Sequence, residues 1–357
     1  MSHTQRSAAP APGAIRRFDF LPVLTDRLDN GLEMRSVQTH RLPIVAVSLV
    51  LDAGEATLSE DRAGLTVLTG DSLEGGTVAR SGAELADALE SLGTGLSVGT
   101  GWDATTISLS CLPDRLDEAM SILAEVVLRP GFPADEVDRV RGQHLAAIQQ
   151  RKMDPASIAT DAAHRLTYAE GIPYGRPLGG SVESVTPFGR EAAAGFVEAR
   201  YRPGNAGLVL VGDLDQGEAQ ALAERCFGDW TGEAPERRAH TPEPRARERR
   251  VVIVDRPDAV QSIIFAANIA PPAGQGNEIA IETMNEIIGG SFTSRINMNL
   301  RENKHWTYGA RSILISTKGQ RLFIAYAPVQ TDKTMESIAE IKRELVEYLS
   351  EKPATDE

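Results

Sequence analysis

Apolar and polar positions along the chain follow patterns that predict both strands and helices. Residues 44–51 form a continuous, largely β-branched apolar run, which predicts a strand buried on both faces. Asn30 and Gly31, flanked by apolar residues, predict a hairpin turn. Further strands are predicted at 105–112 and 206–212, and helices at 58–73, 83–92, 117–128 and 137–152. Because the two kinds of element are mixed without regular βαβ alternation, the predicted fold class is α+β.

The same order of elements occurs twice, which predicts an internal repeat. A helix in the first half ends at Gly75-Gly76-Thr77, and a helix in the second half ends at Gly289-Gly290-Ser291. In each half an alternating strand follows, and in the second half this strand is expected to end at Pro328. The second copy is predicted to consist of a strand, a helix, an amphipathic stretch, a strand and a helix, at 251–254, 278–288, 294–302, 321–327 and 335–349.

These boundaries divide the chain into four parts. Residues 1–18 are expected to be a flexible tail, 19–232 a first repeat, 233–249 a linker rich in Pro and charge, and 250–357 a second repeat. The first repeat continues from residue 137 to about 230 with a segment that has no counterpart in the second. We therefore expect the second repeat to be C-terminally incomplete, or to be a natural short form whose partner fills the gap.

Charge and composition narrow the classes of function. The 357 residues include 37 Lys and Arg against 50 Asp and Glu, a net charge of −13, which disfavours general nucleic-acid binding. The longest apolar stretch, 44–51, is far shorter than the ~20 residues of a membrane span. The two cysteines cannot build a disulfide framework. No secretory signal is visible, so we expect a cytoplasmic location, or a periplasmic one if a signal peptide was removed.

Candidate metal ligands are sparse in this sequence. A catalytic zinc needs about three His, Glu, Asp or Cys ligands, two of them usually one helical turn apart. The six histidines provide no such HxxxH pair. His144 and His164 lie singly on helical patterns, where a surface or capping role is expected. The sequence therefore predicts no metal site in this chain.

Several short motifs occur in an order that is more specific than any one of them. They are LDNGL at 28–32, GGT at 75–77, YGRPLGG at 174–180, YRPGNA at 201–206, GSFTSR at 290–295 and LRE at 300–302. In these motifs the chain resembles the pitrilysin/insulinase superfamily of zinc peptidases, in its mitochondrial-processing-peptidase-like branch. The resemblance implies two homologous repeats of the α/β-sandwich type, the second one apparently truncated.

The resemblance also implies where a zinc site would lie. Active members carry an inverted HxxEH motif, and in this chain its two histidine positions hold Val67 and Asp71, while the position of the catalytic glutamate holds Gly70. The third ligand of the family, a glutamate on a later helix, falls on Ala147, and a helper carboxylate falls on Val140. These residues cannot perform the zinc chemistry, so the resemblance implies a degenerate site without metal.

A second part of the family's active site is intact. Peptide-cleaving members use an arginine and a tyrosine in a pattern close to LRExxxxxY, and here this pattern places Arg301 and Tyr308. A phenol and a guanidinium can stabilise and orient the negatively charged oxygen of a tetrahedral intermediate. From the residues alone, Arg301 is a salt-bridge residue at a helix end and Tyr308 an ordinary strand aromatic. The resemblance instead implies that both are catalytic.

The resulting hypothesis is a subunit of a heteromeric metallopeptidase that is inactive alone. It supplies Arg301 and Tyr308 in trans to a homologous HxxEH-bearing partner, which holds the zinc, and the substrate is an extended peptide. Three alternatives remain: a structural subunit like the core proteins of respiratory complexes, a peptide-binding module without chemistry, and an independent peptidase. The lost ligands argue against the last one.

Overall fold

The computed structural model describes residues 13–14, 17–236, 250–274 and 276–355. Most of the expected tail, and residues 237–249 of the expected linker, lie outside the described residues. The chain is a mixture of helices and strands, and the predicted α+β class is confirmed. Among the described residues, no helix combines the length and the apolar character that crossing a bilayer requires.

The first half is built on a six-stranded sheet with the strand order β1-β2-β6-β3-β5-β4. Strands β2 and β6 are parallel, and the remaining neighbours are antiparallel. The predicted hairpin at Asn30 and Gly31 is confirmed, because it joins the paired strands β1 and β2. The strands are β1 (Leu24–Arg27), β2 (Glu33–Gln38), β3 (Val45–Leu51), β4 (Ser97–Thr100), β5 (Thr105–Cys111) and β6 (Ala206–Gly212).

Strand β3 is buried on one face, and the prediction of burial on both faces is wrong. Val45, Val47 and Leu49 are fully buried in the core of the first half. Ala46 and Val50, which point the other way, are exposed. A continuous β-branched run raises strand propensity on both faces, and it carries no information about which face the rest of the chain covers.

Helices pack against the buried face of this sheet, and their ends show local sequence signals. The predicted helix at 58–73 is shorter than expected, because Gly64 has a left-handed φ of 89° and the regular helix begins only after it. Ser81 and Glu84 form a capping box that begins the next helix. The helices are α1 (Leu65–Ser72), α2 (Gly82–Ser91), α3 (Leu116–Leu128), α4 (Ala134–Arg151), α5 (Pro155–Thr167), α6 (Val182–Val185), α7 (Arg190–Arg200) and α8 (Gln216–Phe227).

The second half contains a three-stranded antiparallel sheet, in the order β7-β9-β8. The same relative order occurs in the first half as β3-β5-β4, with the strands in the same sequence order, so the internal repeat is visible in the topology. The strands are β7 (Gln261–Ala270), β8 (Arg311–Ile315) and β9 (Arg321–Gln330), and the helices are α9 (Glu278–Asn285), α10 (Arg295–Asn297) and α11 (Thr334–Tyr348). Two π-helical segments, Glu286–Gly290 and Met298–Asn303, follow α9 and α10.

Two predictions for the second half are wrong. The apolar run at 251–254 is not a strand, and its four side chains are all exposed. Strand β9 does not end at Pro328 but continues to Gln330. Strand β8 pairs only with residues 322–326 of β9, so at Pro328 strand β9 pairs with β7 alone. Proline has no backbone N–H to donate, and a strand with one neighbour tolerates it.

The two halves contact each other through tyrosine hydroxyls. The Tyr168 hydroxyl donates to the carbonyl of Gln320 in the second half at 2.9 Å. The Tyr174 hydroxyl donates to Asp103 of its own half at 2.6 Å. The backbone N–H of Gly319 donates to the same Tyr174 oxygen at 3.3 Å. The bonds to Gln320 and from Gly319 join the region that follows α5 to the loop between β8 and β9.

Candidate functional site

The four positions of the family's zinc chemistry lie on two helices that pack against each other. Helix α1 carries Val67, Gly70 and Asp71, and helix α4 carries Ala147. Val67 is half-buried, Gly70 is buried, and Asp71 and Ala147 are exposed. The helper position, Val140, is buried in the core. The structure therefore brings the aligned positions to one helix pair, as a zinc site would require.

The residues at these positions do not fit a zinc ion. Among them, Asp71 is the one side chain with a metal-ligating atom, whereas tetrahedral zinc needs three protein ligands and an open position for catalysis. In the part of the chain that the structure describes, no three His, Cys, Asp or Glu side chains lie together as a metal site would need. The helix pair that carries the aligned positions is thus present, and these positions lack a set of zinc ligands.

Gly70, at the position of the catalytic glutamate, is in close contact with strand β4. A Cβ added at Gly70 would lie 2.5 Å from the Thr100 hydroxyl oxygen and 3.4 Å from a methyl carbon of Val98. The Thr100 hydroxyl is buried and has no hydrogen-bond partner among the described residues. Strand β4 therefore occupies the space into which a side chain at position 70 would extend.

His144 is buried on α4, so the expected surface or capping role is wrong. Its Nε2 donates to the carbonyl of Gly179 at 2.9 Å, since a carbonyl can only accept. Its Nδ1 has no hydrogen-bond partner among the described residues. Burial lowers the pKa of His144, although the carboxylate of Asp71 acts in the opposite direction. His164 is also buried, and its Nδ1 bonds to the carbonyl of Tyr174 at 2.7 Å.

Acidic side chains at the end of α1 have perturbed pKa values. Desolvation by the surrounding protein raises the pKa of Asp71, and the nearby His144 opposes this shift. Desolvation and the charge of Asp71 together raise the pKa of Glu74. The carboxyl groups of Asp71 and Glu74 therefore interact with each other at this end of α1, and each ionises less readily than a free carboxyl.

Glu55 and Arg176 fix the beginning of α1. Glu55 is fully buried, and its Oε1 accepts the backbone N–H of Gly64 at 2.7 Å. An Nη2 of Arg176 lies 3.6 Å from the same carboxylate and donates to the carbonyls of Glu55 and Leu58. Desolvation raises the pKa of Glu55 to about 7, although the Gly64 bond and the Arg176 charge lower it. Nothing in the local sequence predicts this pair, although Arg176 lies within the YGRPLGG motif.

Arg301 and Tyr308 belong to one turn of the second half. Arg301 lies in the π-helical segment Met298–Asn303, and Tyr308 lies in the loop that leads into β8. The backbone N–H of His305 donates to the carbonyl of Arg301 at 3.1 Å, which folds the loop back on the helix. His305 itself has a left-handed φ of 58°. The residues alone predict a strand position for Tyr308, and this prediction is wrong, because Tyr308 lies in a loop. Tyr308 is 91% exposed.

The guanidinium of Arg301 is held by an aromatic ring. Its Cζ lies 4.5 Å from the centre of the Phe292 ring, within cation–π range. Its Nε lies 3.4 Å from the Glu302 carboxylate. Stacking on a ring leaves the in-plane N–H groups of a guanidinium free to bind carbonyl oxygens. Phe292 was not singled out from the sequence, although it lies in the GSFTSR motif.

An α+β repeat pair with the aligned zinc positions on one helix pair and an exposed tyrosine in the second half is what a metallopeptidase-like protein would show. Residues 34–181 match the family described as Insulinase (Peptidase family M16), and residues 187–357 match the family described as Peptidase M16 inactive domain. The chain belongs to peptidase family M16, so the predicted membership of the pitrilysin/insulinase superfamily is confirmed.

Individual relatives are distant in sequence. An uncharacterized zinc protease of Rickettsia felis is 22% identical over 319 residues, which are 89% of this chain and 76% of that protein. The mitochondrial-processing peptidase subunit beta of Caenorhabditis elegans is 21% identical over 211 residues, 59% of this chain and 46% of that subunit. The crystal structure of a peptidase M16 inactive domain from Pseudomonas fluorescens has a TM-score of 0.86 at 24% identity, covering 94% of this chain and 81% of its own. That likeness shows the fold.

Proposed function

We propose that this chain is the subunit of a heteromeric M16 peptidase that holds no zinc itself and supplies Arg301 and Tyr308 to the active site of a zinc-bearing partner. One contrast carries the proposal. Among the zinc positions of the first half only Asp71 carries a metal-ligating atom, too few for a catalytic zinc, whereas Tyr308 is 91% exposed and the half-buried Arg301 has its guanidinium stacked on the Phe292 ring.

The chemistry assigned to this chain is electrostatic. The Tyr308 hydroxyl donates a hydrogen bond to the oxygen on which negative charge develops when a peptide carbonyl is attacked. The Arg301 guanidinium binds the substrate backbone through its fixed fork of donors. Removal of one donor of this kind typically costs ~3–4 kcal/mol of transition-state stabilisation. The attacking water and its metal belong to the partner.

The exposure of Tyr308 supports a role outside the chain's own core. A side chain that is 91% exposed buries little apolar surface and contributes little to folding stability. The turn that carries it is nevertheless held by specific bonds, among them Trp306 N–H to the Leu300 carbonyl at 3.0 Å. A well-held turn with an exposed phenol is the arrangement expected of a group that acts on a bound partner or substrate.

The partner is a homologous subunit with an intact HxxEH motif, and the substrate is an extended peptide. Pairing of two homologous subunits would bring the Arg/Tyr turn of one over the metal of the other. The net charge of −13 favours peptides that carry basic residues. A cytoplasmic or periplasmic location is compatible with this role.

The experiment is reconstitution from separately purified subunits. The chain alone is expected to cleave no peptide, and addition of the HxxEH-bearing homologue from the same genome is expected to produce cleavage. Arg301→Ala and Tyr308→Phe should each lower kcat by about 100-fold or more in the mixture without preventing association. Arg311→Ala and Tyr326→Phe are matched controls, because Arg311 stacks on the Tyr326 ring at 5.2 Å outside this turn.

One outcome of this reconstitution would contradict the proposed function. If both variants of the Arg/Tyr turn cleave as fast as the native mixture, the two side chains are not part of the reaction. A structural or peptide-binding subunit would then be the better description.

A further inference from the structure

A buried amide lies between the two segments that carry the Arg/Tyr pair. Asn297, at the end of α10, is 4% exposed. Its Nδ2 donates to the carbonyl of Phe292 at 2.6 Å, and its Oδ1 accepts the backbone N–H of Ala310 at 3.1 Å. The Phe292 carbonyl can only accept and therefore requires the Nδ2 of Asn297, while the Ala310 N–H can only donate and requires the Oδ1. These two partners fix the orientation of the amide.

Each end of this amide holds the backbone next to one functional side chain. Phe292 provides the ring on which the Arg301 guanidinium lies, 4.5 Å from Cζ to the ring centre. Ala310 is two residues after Tyr308 and is itself buried, so its N–H ends the exposed loop. A shift of Phe292 would therefore move Arg301, and release of Ala310 would loosen the loop of Tyr308.

We propose that Asn297 is a positioning residue that sets the separation between Arg301 and Tyr308. The inference rests on the proposed function for its catalytic consequence, but the contact itself belongs to this chain alone. An amide is suited to this task because it offers one donor and one acceptor a fixed distance apart. A buried carbonyl or N–H that loses its partner is costly, so both segments stay in place while the amide is present.

The chain also offers a matched control. Asn299 is 5% exposed and lies two residues further along, and its Nδ2 donates to Glu340 and Glu344 of α11 at 2.7 Å each. Its bonds lead to the helix behind the turn and not to Phe292 or Ala310. Asn297→Ala and Asn299→Ala therefore remove the same buried group with different consequences for the Arg/Tyr pair.

The first test uses the purified chain without a partner. Hydrogen–deuterium exchange of the peptide that covers residues 306–310 is expected to accelerate about tenfold in Asn297→Ala, as the loss of one backbone hydrogen bond predicts. Asn299→Ala should leave that peptide unchanged. Equal exchange of this peptide in Asn297→Ala and the native chain would overturn the proposal, because the amide would then hold nothing there.

The second test uses the reconstituted complex. Asn297→Ala should lower kcat at least tenfold with KM changed less than about twofold, and Asn299→Ala should match the native complex. In Asn297→Asp the introduced carboxyl keeps the acceptor but donates to Phe292 only when protonated, and its burial raises its pKa. Activity relative to the native complex should therefore fall as the pH rises.

The outcomes separate the two proposals. If Arg301→Ala and Tyr308→Phe leave cleavage unchanged, the proposed function fails, and the positioning role fails with it. If those two variants depress cleavage while Asn297→Ala does not, the positioning role alone is overturned. Low activity in Asn299→Ala equal to that of Asn297→Ala would also overturn it, because the effect would then be one of general stability.

Discussion

A side chain added at Gly70 is expected to strain the contact between α1 and β4. The Cβ of Gly70→Ala would lie 2.5 Å from the Thr100 hydroxyl oxygen, about 1 Å inside an ordinary contact distance. Thr100 is β-branched on a strand, so rotation about χ1 gives limited relief. Overpacking of this kind typically costs ~1–3 kcal/mol. Replacing a helix-interior glycine by alanine otherwise contributes about 1 kcal/mol of stability.

The net expectation for Gly70→Ala is therefore a loss of ~0–2 kcal/mol in the free energy of unfolding. Thr100→Ala removes the conflicting oxygen, and no hydrogen bond is lost because that hydroxyl has no partner among the described residues. In the Thr100→Ala background, Gly70→Ala should instead stabilise the protein by about 1 kcal/mol. The two substitutions should thus show a coupling energy of ~1–3 kcal/mol.

Urea unfolding of the four proteins in this double-mutant cycle measures the coupling. Gly142→Ala is the control, because Gly142 lies in helix α4 and an added Cβ would meet nothing within 4 Å. It should stabilise both backgrounds equally, by about 1 kcal/mol. If Gly70→Ala stabilises the native chain as much as Gly142→Ala does, β4 does not fill the space of the catalytic glutamate, and the reasoning is refuted.

Three further expectations concern pH, the joint between the halves and metal content. Burial raises the pKa of Glu55 from an ordinary 4.5 to about 7. The free energy of unfolding should therefore fall by about 3 kcal/mol as the pH rises from about 4.5 to 7. Urea titrations at several pH values should show that Glu55→Gln removes this loss. Tyr174→Phe should lower the free energy of unfolding by ~1–3 kcal/mol, because the buried N–H of Gly319 loses its acceptor. An unchanged melting temperature in thermal unfolding would contradict this. Elemental analysis of the purified chain should find well below one zinc per molecule.

The sequence predicted those elements whose signal is local. Helix α3, strand β5 and strand β6 lie within a residue or so of their predicted bounds, because periodicity and turn residues are readable in a short window. The apolar run at 251–254 misled for the opposite reason. Whether such a run becomes a strand depends on a neighbouring strand to pair with, and that neighbour is not a property of the window.

The candidate site divides in the same way. Arg301 and Tyr308 were named from a motif, and the structure adds what no motif contains: the ring under the guanidinium and the exposed loop under the phenol. The contact of Gly70 with Thr100 joins positions 30 residues apart. The bond of His144 to the Gly179 carbonyl joins positions 35 residues apart. Burial of a polar group through such long-range contacts cannot be read from spacing along one helix.

The aligned zinc positions and the Arg/Tyr turn are held by separate contacts, and this gives a physical reason why one can change without the other. The zinc positions depend on the packing of α1 against α4 and β4 in the first half. The Arg/Tyr turn depends on bonds made by Asn297 and Trp306 within the second half. The stability effects of substitutions at distant sites that share no partners usually add, so we expect a substitution on α1 to leave the contacts of the turn in place. Under the proposed function, a chain that always acts beside a zinc-bearing homologue loses no catalysis when α1 gives up its ligands. It loses catalysis as soon as the turn moves, and selection on the pair would therefore act on the second half alone.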